Sequence, residues 1–514
     1  MPTANRVIKN TGYLYAKMGV TMFISLYTTR LILNSLGATD FGIFNIVGGA
    51  IAMLGFLNAA MADATQRFMS YSEGEGNKEK QKSIFNVSVI LHLLIALIVG
   101  VVLLIAGYFF FNGILNIPSD RMFAAQVVYG SLIVSTMFTV MTVPYDAVLN
   151  AHENMLYYSI VGIVESVLKL SVAFIVVYTL SDKLIVYGIL MACIPLITMS
   201  IMRVYCHKHY EECIIRPRKY WHRGLMKEMS SFAGWNLLGS TSTILSGYGL
   251  GLVLNHFYGT IANAAQGIAN QVSGQLGTFG SSIKKALNPV ITKSAGAKDN
   301  TLMLRAAITG SKITFFIVTI FFIPVLVDAD YILKLWLKTP PQYSNSFCIL
   351  LLITNILQNL TLFIPQAIAS VGKIKKYSLW SSIINFLPVL LTIIGFALGT
   401  RPQFLYISMM IGTVIKIICD LYFGQILCKI NAFSYAKSVI FSMLFCVSLG
   451  ILVGELIKQT MQPSFIRFII IAIVSMLSYL YFFYTISFNR EEKNMAYAMF
   501  LKLKQKIICK EINP

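Results

Sequence analysis

Charge is scarce in this sequence. Asp, Glu, Lys and Arg make up 12% of the 514 residues, about half the share of a soluble chain, which is near 25%. Acids are the scarcer sign, 21 against 41 basic residues. The shortage excludes a water-facing surface over most of the chain. The cysteines, at 193, 206, 213, 348, 419, 428, 446 and 509, are scattered, without C-x-x-C or pairing with histidines. That argues against a zinc site or a disulfide framework, so they read as small apolar packing residues. Clustered carboxylates, H-E-x-x-H, G-x-S-x-G and G-x-x-x-x-G-K-[ST] are all missing, so the chain reads as neither an enzyme nor an ATP-driven pump. Gly247-x-Gly-x-Gly251 precedes no strand–helix unit and lacks the Lys-Ser/Thr of a phosphate loop, so it is not a nucleotide site.

What is present is apolar length. Hydrophobic residues are 56% of the chain and mean hydropathy is +0.71. A membrane-spanning helix needs about 20 predominantly apolar residues. Fourteen such runs occur, near 10-36, 41-71, 84-112, 122-150, 155-180, 183-206, 229-255, 264-288, 302-327, 346-370, 378-399, 403-428, 435-457 and 466-487. The expected fold is an all-α polytopic membrane protein with about 14 transmembrane helices. The net charge of +20 suggests nucleic acid until its distribution is considered. With the amino terminus inside, 23 basic residues fall in inner segments, among them Arg216, Arg218, Lys219 and Arg223, and 6 in outer ones. That asymmetry places both termini in the cytoplasm and directs the charge to membrane lipids rather than nucleic acid.

The basic stretch 207-228 divides the spans into six and eight. Leu31-Ile-Leu-Asn34 matches Leu252-Val-Leu-Asn255, and Val143-Pro144 matches Ile364-Pro365, both at an offset of 221. The expected organisation is therefore an amino-terminal six-helix lobe at 1-206, a basic cytoplasmic linker at 207-228 and a second six-helix lobe at 229-428. Two additional helices follow at 429-487, then a basic tail at 488-514 with a helix on the inner leaflet. An even number of spans per lobe implies parallel repeats. The aromatic cluster Tyr479, Tyr481, Phe482, Phe483 and Tyr484 reads as an interfacial belt.

Polar residues inside spans concentrate on spans 1, 2, 7 and 8. At 100° per residue, Gln266, Asn270, Ser273, Gly277, Gly280 and Lys284 share a face of span 8. Asn45, Asp63 and Arg67 share one of span 2, and Lys17 and Thr21 lie on one of span 1; such faces line a polar cavity. Intramembrane charges are costly and functional by default. Glu165/Lys169, Lys416/Asp420 and Asp63/Arg67 are spaced i, i+4 and can pair within a helix. Lys17, Lys284 and Lys285 have no such partner. The expected substrate contacts are Lys17, Arg67, Lys284 and Lys285, with Thr21, Asn45, Gln266, Asn270 and Ser273 lining the cavity. Asp63 and Glu165 are the candidate coupling acids.

Taken together, the basic loop between six-span halves, the glycine-rich polar spans 7 and 8, Pro144 and Pro365, the appended helices, and Thr29-Arg-Leu-Ile-Leu followed by Leu36-Gly-Ala-Thr-Asp-Phe-Gly-Ile-Phe-Asn45 resemble the multidrug/oligosaccharidyl-lipid/polysaccharide (MOP) exporter superfamily. Within it the chain looks most like Wzx-type flippases of O-antigen and capsule synthesis. The resemblance implies two helical bundles with a cationic cavity. It also implies alternating-access movement of undecaprenyl-pyrophosphate-linked oligosaccharide across the bacterial inner membrane. It implies no bound cofactor, coupling to protons, sodium or membrane potential, and work alongside a polysaccharide polymerase and assembly proteins. A MATE-type drug or cation antiporter and a MurJ-type lipid II flippase are the nearest alternatives. A membrane glycan polymerase or glycosyltransferase is disfavoured because the longest outer loop, near 328-345, is short.

Overall fold

The computed structural model describes residues 2–52, 55–114, 117–337, 339–488 and 493. The expected tail helix beyond 488, Lys493 apart, lies outside the described residues. Helices run in the order α1 (Pro2–Ala52), α2 (Gly55–Glu75), α3 (Lys78–Phe109), α4 (Met122–Ala151), α5 (Met155–Tyr178), α6 (Lys183–His209), α7 (Pro217–Tyr220) and α8 (Arg223–Gly296). They continue with α9 (Asn300–Val327), α10 (Ala329–Leu337), α11 (Ser344–Asn359), α12 (Ile364–Val371), α13 (Lys375–Ala397), α14 (Phe404–Cys428), α15 (Ala432–Tyr435), α16 (Ser442–Thr460) and α17 (Phe465–Phe482).

Among the described residues, ten helices are long and apolar enough to cross a membrane. The pair α11 and α12, bent by 42°, makes an eleventh as one broken span. The remaining long helical segments, in α1, α2 and the part of α8 after Gly259, correspond to spans 1, 2 and 8, whose polar faces dilute their hydropathy. Leu94, Ile98, Val101 and Ile105 form an exposed stripe along α3. That spacing makes one continuous helix face, and a continuous exposed apolar face suits lipid rather than water.

Helix ends follow local chemistry. Asn77, Asn154 and Ser464 each accept a hydrogen bond from a backbone N–H of the first turn they cap, a contact worth about 1 kcal/mol. α1 and α8 each continue through a glycine in the left-handed region, Gly37 at φ 78° and Gly259 at φ 72°. A side chain with a Cβ would be strained there. These two breaks stand 222 residues apart, one residue from the offset of the sequence matches.

Two compact units are present. The first comprises Met1–Ile244, Ser282–Ala307 and Gln366–Ser382, and the second Leu245–Ser281, Ile308–Pro365 and Ile383–Pro514. In the first unit α4 packs on α2, α3 and α6, and α5 on α1. The end of α8 crosses the end of α2 so closely that a methyl group at Gly74 would overlap the Lys293 carbonyl, and one at Gly296 the Tyr71 carbonyl. The segment 207-228 is fastened to its lobe by Glu212, which is hydrogen-bonded to His152 Nε2 at 2.5 Å, while His152 Nδ1 lies 3.4 Å from Glu73. Burial pushes the Glu212 carboxyl up, but the His152 contact, a backbone hydrogen bond and Lys78 together hold the group below its ordinary value. The His152 ring stacks on Tyr210 at 4.3 Å.

In the second unit the two additional helices pack on α9. Gly450 lies against Ile323 and Tyr479, and Gly454 against Val327. Arg467 donates to Asp328 at 2.6 Å and Lys458 to the Val327 carbonyl at 2.6 Å. The aromatic cluster is therefore divided, contrary to the belt expectation. Tyr479 and Phe483 are fully buried beside Phe316, and Tyr481 and Tyr484 remain exposed. The 3.6-residue period turns alternate rings toward α9.

At one end of the first unit Arg121 bridges Asp40 at 2.5 Å and Asp182 at 2.7 Å, joining α1, α4 and α6. Hydrogen bonding to Arg121 holds the Asp182 carboxyl below the ordinary range. A carboxyl with a lowered folded value stabilises the fold above its unfolded value, near about 4, and loses that contribution as pH falls below it. Arg121→Ala is expected to lower unfolding free energy by roughly 1.5–3 kcal/mol at neutral pH. The deficit should shrink as pH falls below about 4. Chemical unfolding of detergent-solubilised protein across that range measures both, and a pH-independent deficit rejects the clamp.

Candidate functional site

The site is assembled in the first unit from four helices. Leu14 of α1, Met155 of α5 and Ala286 of α8 form a small buried apolar cluster, with Tyr158 packed against it. That cluster sets the Tyr158 ring where cations from two other helices reach it. Lys17 Nζ stands 4.3 Å and Lys285 Nζ 3.4 Å from the ring centroid, within cation–π range. The Lys17 side chain crosses α5 at Gly162, where a methyl group would overlap Cε. The glycine, one turn after Tyr158, is the groove the lysine lies in.

Asp146 of α4 interacts electrostatically with Lys285 and, second, with Lys17. Asp146 was not among the sequence candidates. It sits two residues after Pro144, in a stretch read only as a repeat landmark. Its distance in sequence from every partner left no i, i+4 signal. Lys284, the neighbour of Lys285, interacts with Asp63 on α2. The two lysines without an intrahelical acid on α8 thus each interact electrostatically with an acid on another helix.

Of the three i, i+4 pairs, two form. Glu165 and Lys169 pair at 2.7 Å. Lys416 pairs with Asp420, which also accepts from Thr361 at 3.0 Å. Asp63 and Arg67 do not pair. Arg67 instead turns to the α12 backbone, donating to the Ala369 carbonyl at 2.6 Å and the Ser370 carbonyl at 3.2 Å. Its guanidinium is enclosed by Phe68, Tyr71 and Phe232. A buried guanidinium with backbone acceptors is a brace between α2 and α12, because carbonyls satisfy its planar fork. Nearby, Glu153 is gripped by Arg6 at 2.7 Å and Lys293 at 3.3 Å.

The polar candidates are dispersed. Thr21 bonds back to the Met18 carbonyl at 3.1 Å. The side chain of Asn45 lies outside the described residues. Gln266, Asn270 and Ser273 belong to the second unit, where Ser273 accepts from Asn355 at 2.5 Å and Asn270 is exposed. The site that the first unit brings together is thus Lys17, Tyr158 and Lys285, with Asp146 interacting electrostatically with both lysines and Asp63 with Lys284. Among the described residues, no group of three or more His, Cys, Asp or Glu is arranged to hold a metal ion.

The family model described as polysaccharide biosynthesis protein matches residues 7–295, and the MatE model matches 238–395. No curated protein matches. Several solved structures share the fold. A multidrug resistance MATE family transporter of the MOP superfamily, in an outward-facing conformation, has a TM-score of 0.71 at 14% identity, covering 84% of this chain and 97% of that one. A MOP superfamily transporter from Pyrococcus furiosus, described as having a binding pocket of reverse polarity, gives 0.68 at 15% identity, with 85% and 97% covered. A Vibrio cholerae MATE transporter in the bent form gives 0.67 at 17%, with 84% and 98% covered.

The groove at Gly162 is open to a direct check. An added methyl meets only the far end of a flexible side chain, and alanine gains about 1 kcal/mol of helix propensity over glycine. Gly162→Ala should therefore unfold at the same temperature or higher while moving Lys17 off Tyr158. Amine-reactive labelling of Lys17, read by peptide mass spectrometry, should increase. Unchanged labelling would show that Gly162 does not position the lysine.

Proposed function

The chain belongs to the polysaccharide biosynthesis protein family and, with it, to the MOP superfamily of multi-pass membrane transporters, and from that premise we propose that it is a flippase for lipid-linked oligosaccharide. Its substrate in this reading is an undecaprenyl-pyrophosphate-linked glycan, carried from the cytoplasmic to the periplasmic leaflet of a bacterial inner membrane by alternating access. The glycan is destined for O-antigen or capsule. Both termini lie in the cytoplasm.

The observation that carries this reading is the convergence of Lys17 and Lys285 on one tyrosine ring, with Lys284 adjacent. A diphosphate cannot cross hydrocarbon bare. Ammonium groups answer it with charge-assisted hydrogen bonds. The lipid tail stays in the bilayer. Lys17, Lys285 and Lys284 are assigned to the diphosphate, and Arg67 to bracing. The MatE match and the MATE neighbours keep a cation antiporter as the second reading, in which Asp146 and Asp63 would take the cargo's positive charge.

Losing one charge-assisted contact costs about 1.5–3 kcal/mol, roughly a 10- to 150-fold drop in affinity. Lys17→Ala and Lys285→Ala should each reduce surface glycan in a flippase-deletion strain at normal expression, with Lys→Arg milder. The double alanine variant should abolish display. Full display from the double variant would reject the cationic site. If Asp146→Asn and Asp63→Asn abolish export of a cationic drug while glycan display is unaffected, the antiporter reading replaces it.

A further inference from the structure

The basic linker lies where three helices long and apolar enough to cross a membrane bring their ends together. α6 ends at His209, α8 begins at Arg223, and the chain between them is pinned to the start of α3. The Asn86 amide of α3 clamps it, donating to the Ile214 carbonyl at 2.7 Å and accepting from the Arg216 N–H at 2.8 Å. Cys213 and Tyr220 are buried on either side of that clamp, and Glu212 is tied to His152 just before it. Held at these points, the strip turns a fixed set of side chains outward. Ile214, Ile215 and Trp221 are exposed, and so are Arg216, Arg218, Lys219 and Arg223. Lys219 rests over the Tyr220 ring at 5.2 Å. No Asp or Glu occurs between Cys213 and Lys227. Neighbouring lysines have their acids, since Lys80 pairs with Glu75 and Lys82 with Glu79, each at 2.7 Å. Among the described residues, none of the four exposed cations of the strip stands in an ion pair.

A partner for this face must supply apolar depth and negative charge together. The headgroup layer of an anionic bilayer supplies both. Tryptophan and aliphatic side chains settle at the boundary of headgroups and acyl chains. Guanidinium forks take phosphate oxygens in pairs of hydrogen bonds, and basic residues beside a spanning helix are drawn to an anionic leaflet. The clamp puts the strip at that level, because Asn86 lies roughly two turns into α3. We propose that residues 214-223 are a docking surface for anionic phospholipid, with Ile214, Ile215 and Trp221 set between headgroups and Arg216, Arg218, Lys219 and Arg223 on their phosphates. The surface fixes the level at which the first unit sits in its leaflet. It acts whatever the cargo is, so it stands apart from the flippase reading. In the orientation proposed above it faces the cytoplasmic leaflet, which carries the anionic lipid.

Two measurements on the full-length protein test this. Trp221 becomes a single fluorophore when Trp235, Trp336 and Trp380 are each replaced by Phe. In nanodiscs of phosphatidylcholine brominated high on the acyl chain, its emission should be quenched, and more so when phosphatidylglycerol is added. Quenching by aqueous acrylamide should fall in parallel. The second measurement needs no tryptophan replacement. Phosphatidylglycerol bound to the wild type, counted by native mass spectrometry from mixed nanodiscs, should exceed its share of the bilayer. Each of Arg216→Gln, Arg218→Gln and Arg223→Gln should lower that preference by roughly fivefold at most, and all three together by more than any one. These side chains are exposed, so the variants should keep the wild-type unfolding temperature. A Trp221 that acrylamide reaches in both lipids as freely as in detergent overturns the membrane as occupant and leaves the face to an acidic protein partner. Equal bromine quenching with and without phosphatidylglycerol, or an unchanged lipid preference in the triple variant, overturns the anionic headgroup.

Discussion

An ammonium group within a membrane-spanning helix is costly unless neighbouring groups answer its charge. Two such groups, on Lys17 and Lys285, organise the interior of the first unit. Their answer comes from two sources of different strength, the π face of Tyr158 and the carboxylate of Asp146. The groups that bring these together are spread over α1, α4, α5 and α8. The Leu14, Met155 and Ala286 contact seats the tyrosine, the bare backbone at Gly162 admits the Lys17 side chain, and α4 presents the acid.

The structure sorts its intramembrane charges by what they give up. Arg467 with Asp328 and Lys416 with Asp420 are closed pairs, each with a further polar contact, and closed buried pairs fix geometry more than they stabilise. Arg67 is committed to main-chain carbonyls, which no ligand can protonate or carry away. Lys17 and Lys285 differ, because both are held over a tyrosine ring rather than by main-chain carbonyls.

Much of the fold was legible because the bilayer imposes it. Run length identified helices, charge asymmetry suggested an orientation, and the two landmark matches foreshadowed glycine breaks at almost the same spacing. The site was legible in part. The cations were visible as lysines without an i, i+4 acid, since that test uses only positions on one helix. Their partners were not, because Asp146 and Asp63 reach them across helices, and packing between helices leaves no period in sequence. Arg67 misled for the same reason. Its i, i+4 spacing to Asp63 was real, but two carbonyls on α12 offered a better fit to a planar fork. Gly162 gave no signal at all, since the need for bare backbone arises only once Lys17 crosses it.

The crossing of α2 with the end of α8 has a further meaning. Gly74 meets the Lys293 carbonyl and Gly296 meets the Tyr71 carbonyl, and the members of each equivalent pair, Gly74 with Gly296 and Tyr71 with Lys293, stand 222 residues apart. Residue i touches j while the counterpart of i touches the counterpart of j, which is the signature of an isologous dimer interface. A side chain introduced on either helix at this crossing presses on the other helix's backbone, so the two glycines constrain each other much as the partners of an isologous contact do.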